Sequence, residues 1–205
     1  MQAAVELYGA ETGNSLRAAI ALAEAGIVFT AKPMELSAGA HRQPAFLALN
    51  PAGKVPTLVD YGYSPALVIN QSNAIIDYAD ATSPGRLSPA ALGVERFRVH
   101  DRFLFFITDV IAVSHAAFFV RRIGQREAAV PLDQRALENL MSAEGFLERG
   151  YMAGDTFSKA DIAAFTFAMS VRGQIPWATL PRMTRWLEMI AARPAVQQGL
   201  GTFRS

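Results

Sequence analysis

Asn50-Pro-Ala-Gly-Lys-Val-Pro-Thr-Leu-Val-Asp60 is the stretch on which the chain turns. Two prolines and a glycine break it, and an apolar run, residues 57–59, follows at once. Proline donates no backbone hydrogen bond and holds the preceding residue in extended geometry. Val55, ahead of Pro56, is therefore extended, with its N–H and C=O free for an outside partner. A Val-Pro step in a loop that feeds a strand is also a place where a cis peptide is tolerated. Alone, such a loop is more often a connector than a site. Support comes ten residues on, at Asn70-Gln71-Ser72-Asn73-Ala74-Ile75-Ile76.

Working outward, residues 4–8 form a short apolar run that stops at Gly9 and reads as a strand. Thr12 to Ser15 supplies capping side chains for a helix over 16–25, with Gly26 where a C-terminal glycine belongs. Residues 27–34 read as a second strand. Strand, helix, strand at this spacing implies a parallel pair joined by a crossover helix. A short helix is expected over 44–49, a hairpin over 57–61 and 67–70, and a helix over 73–82 opened by Ser72. The order is β-α-β-α-β-β-α, a small α/β domain over 1–82, with a turn-rich linker over 83–89.

From 90 to 205 only helical patterns appear. They cover 92–122, 131–149 with Pro131 at its start, 162–171 behind a capping box at 158–161, 180–192, and a short tail after Arg193-Pro194.

Composition narrows the function. Charged residues make up only 18% of 205 residues, against about 25% in an average soluble domain, and the deficit fits a buried subunit interface. A net charge of +1 gives no field for nucleic acid or anionic lipid. The absence of cysteine removes disulfides, a catalytic thiol and thiolate metal ligands. His41, His100 and His115 have no ligand-pair spacing, so no metal site is expected. The apolar stretch 103–120 is interrupted by Asp109 and His115 and is expected to be a buried core helix rather than a membrane span. With no signal segment at the N-terminus, a cytoplasmic protein is expected.

The order of elements and four motifs together resemble the soluble glutathione transferase family over nearly the whole chain. The motifs are Asn50-Pro51 to Val55-Pro56, Gln71 to Ile75, Ala153-Gly154-Asp155 with 158–161, and Arg193-Pro194-Ala195-Val196. The resemblance implies a thioredoxin-like N-terminal domain, an all-helical C-terminal domain that forms a second-substrate cleft, and a homodimer. It also implies glutathione as co-substrate, and conjugation of its thiolate to an apolar electrophile in detoxification. Glutathione-dependent disulfide or peroxide reduction, and a non-catalytic binding module, are the alternatives.

Under that resemblance Val55 offers its backbone to the cysteinyl unit, with Pro56 fixing it. Gln71 and Ser72 meet the γ-glutamyl end at a helix N-terminus. His41 and Lys54, with Arg42 behind them, face the glycyl carboxylate. Three residues compete to activate the thiol: Thr12 first, Asn14 second, as in nu-like bacterial members, and Tyr8 third. Ser15 is expected to be a plain helix-turn residue, and Asp161 a structural cap. On the helical side Phe106, Val110 and His115 are expected to shape the apolar pocket.

Overall fold

The computed structural model describes residues 4–204, so the outermost limits of the expected domains, 1 and 205, lie outside it. Packing divides the chain into two units: the residues up to Leu87 together with those from Ala192, and Ser88–Ala191.

In the first unit β1 (Val5–Gly9) runs parallel to β2 (Phe29–Pro33) and antiparallel to β3 (Thr57–Asp60), which pairs with β4 (Leu67–Ile69). The strand order is β2-β1-β3-β4. Between them lie α1 (Gly13–Ala25) and α2 (Pro44–Leu49), and α3 (Ser72–Thr82) follows β4. Alternation along β1 puts Val5 and Leu7 on one face and Glu6 and Tyr8 on the other. Leu7, Ile20, Leu22, Leu58, Ile75 and Ile76 are buried in the core. Gly26 ends α1 with φ 74°, and its N–H donates to Ala23 while Ile27 donates to Leu22. Only glycine enters that left-handed conformation without cost.

The helical unit opens with α4 (Val94–Phe105), which passes through a wider π turn at Phe106–Ile111 into α5 (Ala112–Arg122). Side chains meet the carbonyls around the π turn: Thr108 donates its hydroxyl to the Leu104 carbonyl, and Asn139 Nδ2 donates to the Asp109 carbonyl at 2.7 Å. The second helix, α6 (Arg126–Ser142), begins before Pro131, contrary to expectation, and residues Ala143–Arg149 tighten into a 3-10 helix. Proline in the second turn loses only the bond its N–H would give to Glu127. In α7 (Lys159–Ser170) the capping box is formed. The buried Asp161 carboxyl accepts from Met152 N, Ser158 N, Ser158 Oγ and Trp186 Nε1, each at 2.9 Å. The unit ends with α8 (Pro181–Ala191).

The tail departs from the expected domain limits. Residues 192–204, with α9 (Pro194–Gly201), pack in the first unit rather than with the helices that precede them. Arg193 grips Glu24 of α1 through two bonds of 2.6 and 2.8 Å. Gly199 lies so close to Ile20 that a Cβ would stand 2.5 Å from its side chain and 2.7 Å from its backbone. Pattern alone showed a helix there; the small residue facing Ile20 decides where it docks.

The long apolar helix also differs from expectation. It spans Val94–Arg122 and is long and apolar enough to cross a membrane, yet only 28% of its most apolar window is buried. Val99, Phe103, Phe106, Val110 and Ala117 form the buried stripe, while Val94, Phe97, Leu104, Phe118 and Phe119 are exposed.

Candidate functional site

Strand register collects the expected residues at one end of the sheet. Tyr8 pairs with Thr57 and with Lys32, and Leu58 pairs with Ile69. The end of β1, the start of β3 and the end of β4 therefore meet there. The loop to Thr12, the Val55-Pro56 step and the Gln71-Ser72 start of α3 all follow from those strand ends. The Val55–Pro56 peptide is cis. Among the described residues the Val55 backbone has no main-chain partner.

The loop before it is held by a polar network that sequence reasoning missed. Asn50 donates through Nδ2 to the Lys54 carbonyl at 2.7 Å and to Thr57 Oγ1 at 3.2 Å. Thr57 donates to Asn70 Oδ1 at 2.9 Å, and Asn70 Nδ2 donates to the Leu49 carbonyl at 3.0 Å. Buried polar groups that satisfy one another in this way hold a single loop shape. The available clue was polar residues on both sides of the two breakers, at 50, 57 and 70.

Two helix N-termini face this end of the sheet. Thr12 is the N-cap of α1: its Oγ1 accepts from Ser15 N at 3.3 Å and donates to Ser15 Oγ at 3.0 Å. Ser15 is fully buried, and its Oγ also accepts from Ala10 N. It is thus the anchor of the Thr12 hydroxyl, more than a plain turn residue. Asn14, half-buried, sits in the first turn. At α3 the expected order shifts by one: Gln71 occupies the N-cap position without a side-chain cap bond, and Ser72 is the first helical residue. Ser72 therefore does not serve as the N-cap. The first turn carries no acid, which leaves backbone N–H groups for an anionic ligand.

The cationic residues come together through Gly53. It has φ +56°, and a Cβ there would meet Arg42 Nη1 at 2.9 Å and the His41 carbonyl at 3.0 Å. That close approach sets His41 and Arg42 beside the loop that carries Lys54. His41 Nδ1 is buried without a partner, and Lys54 is exposed.

Tyr8 is engaged elsewhere. Its hydroxyl donates to Glu6 Oε2 at 2.9 Å, as does that of Tyr61 at 3.1 Å, and Lys32 binds Oε1 at 3.0 Å. Burial, and then the Glu6 carboxylate, push the Tyr8 phenol well above its ordinary value. A phenol so placed is a poor donor to a developing thiolate.

In the helical unit Phe106 and Val110 have no exposed surface and Phe106 packs edge-on against Phe105, so neither lines a pocket. The π turn carries them inward. His115 is exposed. A cavity of about 290 Å³ in this unit is lined by Leu137, Phe167 and Val171 on one hand and by Ser114 and the ion-paired Arg121 and Asp133 on the other. A larger cavity of about 580 Å³, beside Ala23, Gly26, Val28 and Gln198, lies at the opposite end of α1 from Thr12 and is separate from this site. Among the described residues no cluster of His, Asp or Glu is arranged to hold a metal.

The fold and site define a thioredoxin-like domain, with an uncapped α3 N-terminus and the unpaired Val55 backbone at one sheet end, followed by a helical domain. The family models described as "Glutathione S-transferase, N-terminal domain" and "Glutathione S-transferase, C-terminal domain" match residues 13–82 and 107–194. Glutathione S-transferase 3 of Zea mays is 32% identical, over 96% of this chain and 93% of its own. Maleylacetoacetate isomerase of Pseudomonas aeruginosa is also 32% identical, over 90% of each. A theta class glutathione S-transferase from Xanthomonas axonopodis pv. citri, solved with glutathione bound, superposes with a TM-score of 0.81 at 28% identity, covering 97% of this chain and 98% of its own. The chain belongs to the glutathione S-transferase family, a family of enzymes with glutathione as co-substrate.

Proposed function

We propose that the chain binds glutathione along the sheet end described above and conjugates its thiolate to a small apolar electrophile. The observation that carries this is the Val55 backbone, without a main-chain partner, together with the N-terminus of α3, which has no side-chain cap. The cysteinyl unit pairs with Val55 as an added strand. The γ-glutamyl carboxylate meets Ser72 and the first-turn N–H groups of α3, and the glycyl carboxylate meets His41, Lys54 and Arg42. The sulfur then lies toward α1, where Thr12 holds it by its hydroxyl. Ser15 can turn its own O–H onto Thr12 Oγ1, freeing the Thr12 proton for the sulfur, with Asn14 as the alternative donor.

In the reaction the thiol proton leaves to solvent and the thiolate attacks an electrophilic carbon. The carbon–sulfur bond forms as the bond to the leaving group breaks, and the leaving group departs with that electron pair. Detoxification in the cytoplasm is the corresponding cellular role. The exposed apolar face of α4 and α5 supports a homodimer, since a second copy would cover it.

Calorimetric titration with glutathione, followed by assays with a chloro-nitroaromatic, maleylacetoacetate and a small disulfide, tests this reading. Binding with turnover of the chloro-nitroaromatic is expected. Lack of glutathione binding would overturn it, and turnover of the disulfide alone would replace conjugation by reduction.

A further inference from the structure

Among the described residues of the first unit, Arg17 is a buried charge with no acidic partner. It is 3% exposed, and its Nε and Nη1 are buried with no hydrogen-bond partner. Burial lowers the guanidinium to about 10, and no neighbouring acid counters that effect. Glu6, Glu24 and Glu11 are committed to Lys32, Arg193 and Arg204. An uncompensated interior charge costs several kcal/mol, and every other buried position of α1 holds a neutral residue. Leucine or methionine would fill the same place without that penalty.

Its position indicates what the missing countercharge is. A long helical side chain leans toward the N-terminus and covers the preceding turn. At position 17 that lean directs the side chain to the turn of Gly13 and Asn14, beside the Thr12 cap. A charge held there adds to the positive end of α1, in surroundings where its field is weakly screened.

We propose that Arg17 is a positioning residue for the reaction, whose countercharge is the thiolate of bound glutathione. It lowers the thiol pKa through its field at the first turn of α1, while Thr12 makes the direct contact. The inference rests on the glutathione site proposed above. Its predicted mark is selective: the ionised sulfur should feel Arg17, and the carboxylates, held by other groups, should not.

The test follows the ultraviolet absorbance of the bound thiolate against pH in the parent, Arg17→Met and Arg17→Lys. Arg17→Met should raise the bound thiol pKa by about one unit and lower kcat/KM about tenfold on the acid side of the profile. Its affinity for S-methylglutathione should stay within about threefold, under half of that tenfold energy. Arg17→Lys should recover part of the shift. Ligand-free Arg17→Met should melt above the parent, because an unpaired buried charge has gone. An unchanged thiol pKa in Arg17→Met, or an equal loss of both ligands, would overturn the inference while leaving the glutathione site intact. Should Arg17→Met fail to fold, the parent alone decides: above the thiol pKa, glutathione must stabilise it more than S-methylglutathione does, and equal stabilisation sinks the idea. A parent that binds neither ligand removes both proposals.

Discussion

Thr12 does two jobs that substitution can separate. As an N-cap its loss costs about 1 kcal/mol of stability, and as thiol donor its loss costs turnover. Thr12→Ala should therefore lower the unfolding free energy modestly and cut kcat about tenfold or more, with little change in glutathione affinity. Thr12→Ser keeps a hydroxyl in the same place and should restore both. Chemical denaturation beside steady-state kinetics checks each half. Tyr8→Phe is the counterpart. It removes one bond to Glu6, worth about 1 kcal/mol, and should leave turnover unchanged. A collapse of activity in Tyr8→Phe with none in Thr12→Ala would reverse the ranking of the two.

Glu6 carries a pH dependence with a definite sign. Burial pushes its carboxyl up, but bonds from Lys32, Tyr8 and Tyr61 outweigh that and hold it below the ordinary 4.5. The unfolded chain therefore binds the proton first. The stabilisation is present above about pH 4.5 and drains away as pH falls through the lower, folded value. Acid titration of unfolding should show this slope, and Glu6→Gln should flatten it.

Elements were more legible in the sequence than contacts. Gly26 marked the end of α1, and Ser158 with Asp161 marked the start of α7, because caps are local chemistry. Residues 44–49 emerged as α2 with Pro44 at its start and no side-chain cap. Pro131 misled because a proline one turn inside a helix looks like one at its start. The destination of α9 was hidden because Gly199 shows its purpose only when Ile20 stands opposite. Gly199→Ala should therefore cost roughly 1–3 kcal/mol by overpacking, read as a lower denaturation midpoint at unchanged slope. Of the proposed site, Val55 and Ser72 were suggested by breakers and motif. The burial of Ser15 and Arg17 carried no such signal, since it depends on the packed fold.

At the scale of the whole molecule, α4 and α5 carry an exposed apolar face. Phe97 is 60% exposed and belongs to the same side of α4 as Val94 and Leu104. If the proposed homodimer forms through this face, Phe97→Arg should turn it to monomer in sedimentation, since a charge in an apolar contact loses its water without gaining a partner. A parent that sediments as a monomer at all concentrations would remove the homodimer.

The return of α9 to α1 has a consequence for synthesis. Residues that grip Glu24 and cover Ile20 emerge from the ribosome only after the whole of Ser88–Ala191 has been made. The early α/β unit must wait with that groove open, and a chain stopped at residue 191 would leave it open for good. Released chains that end at 191 and at 205 should differ in protease resistance within α1, although neither differs in the sequence of α1.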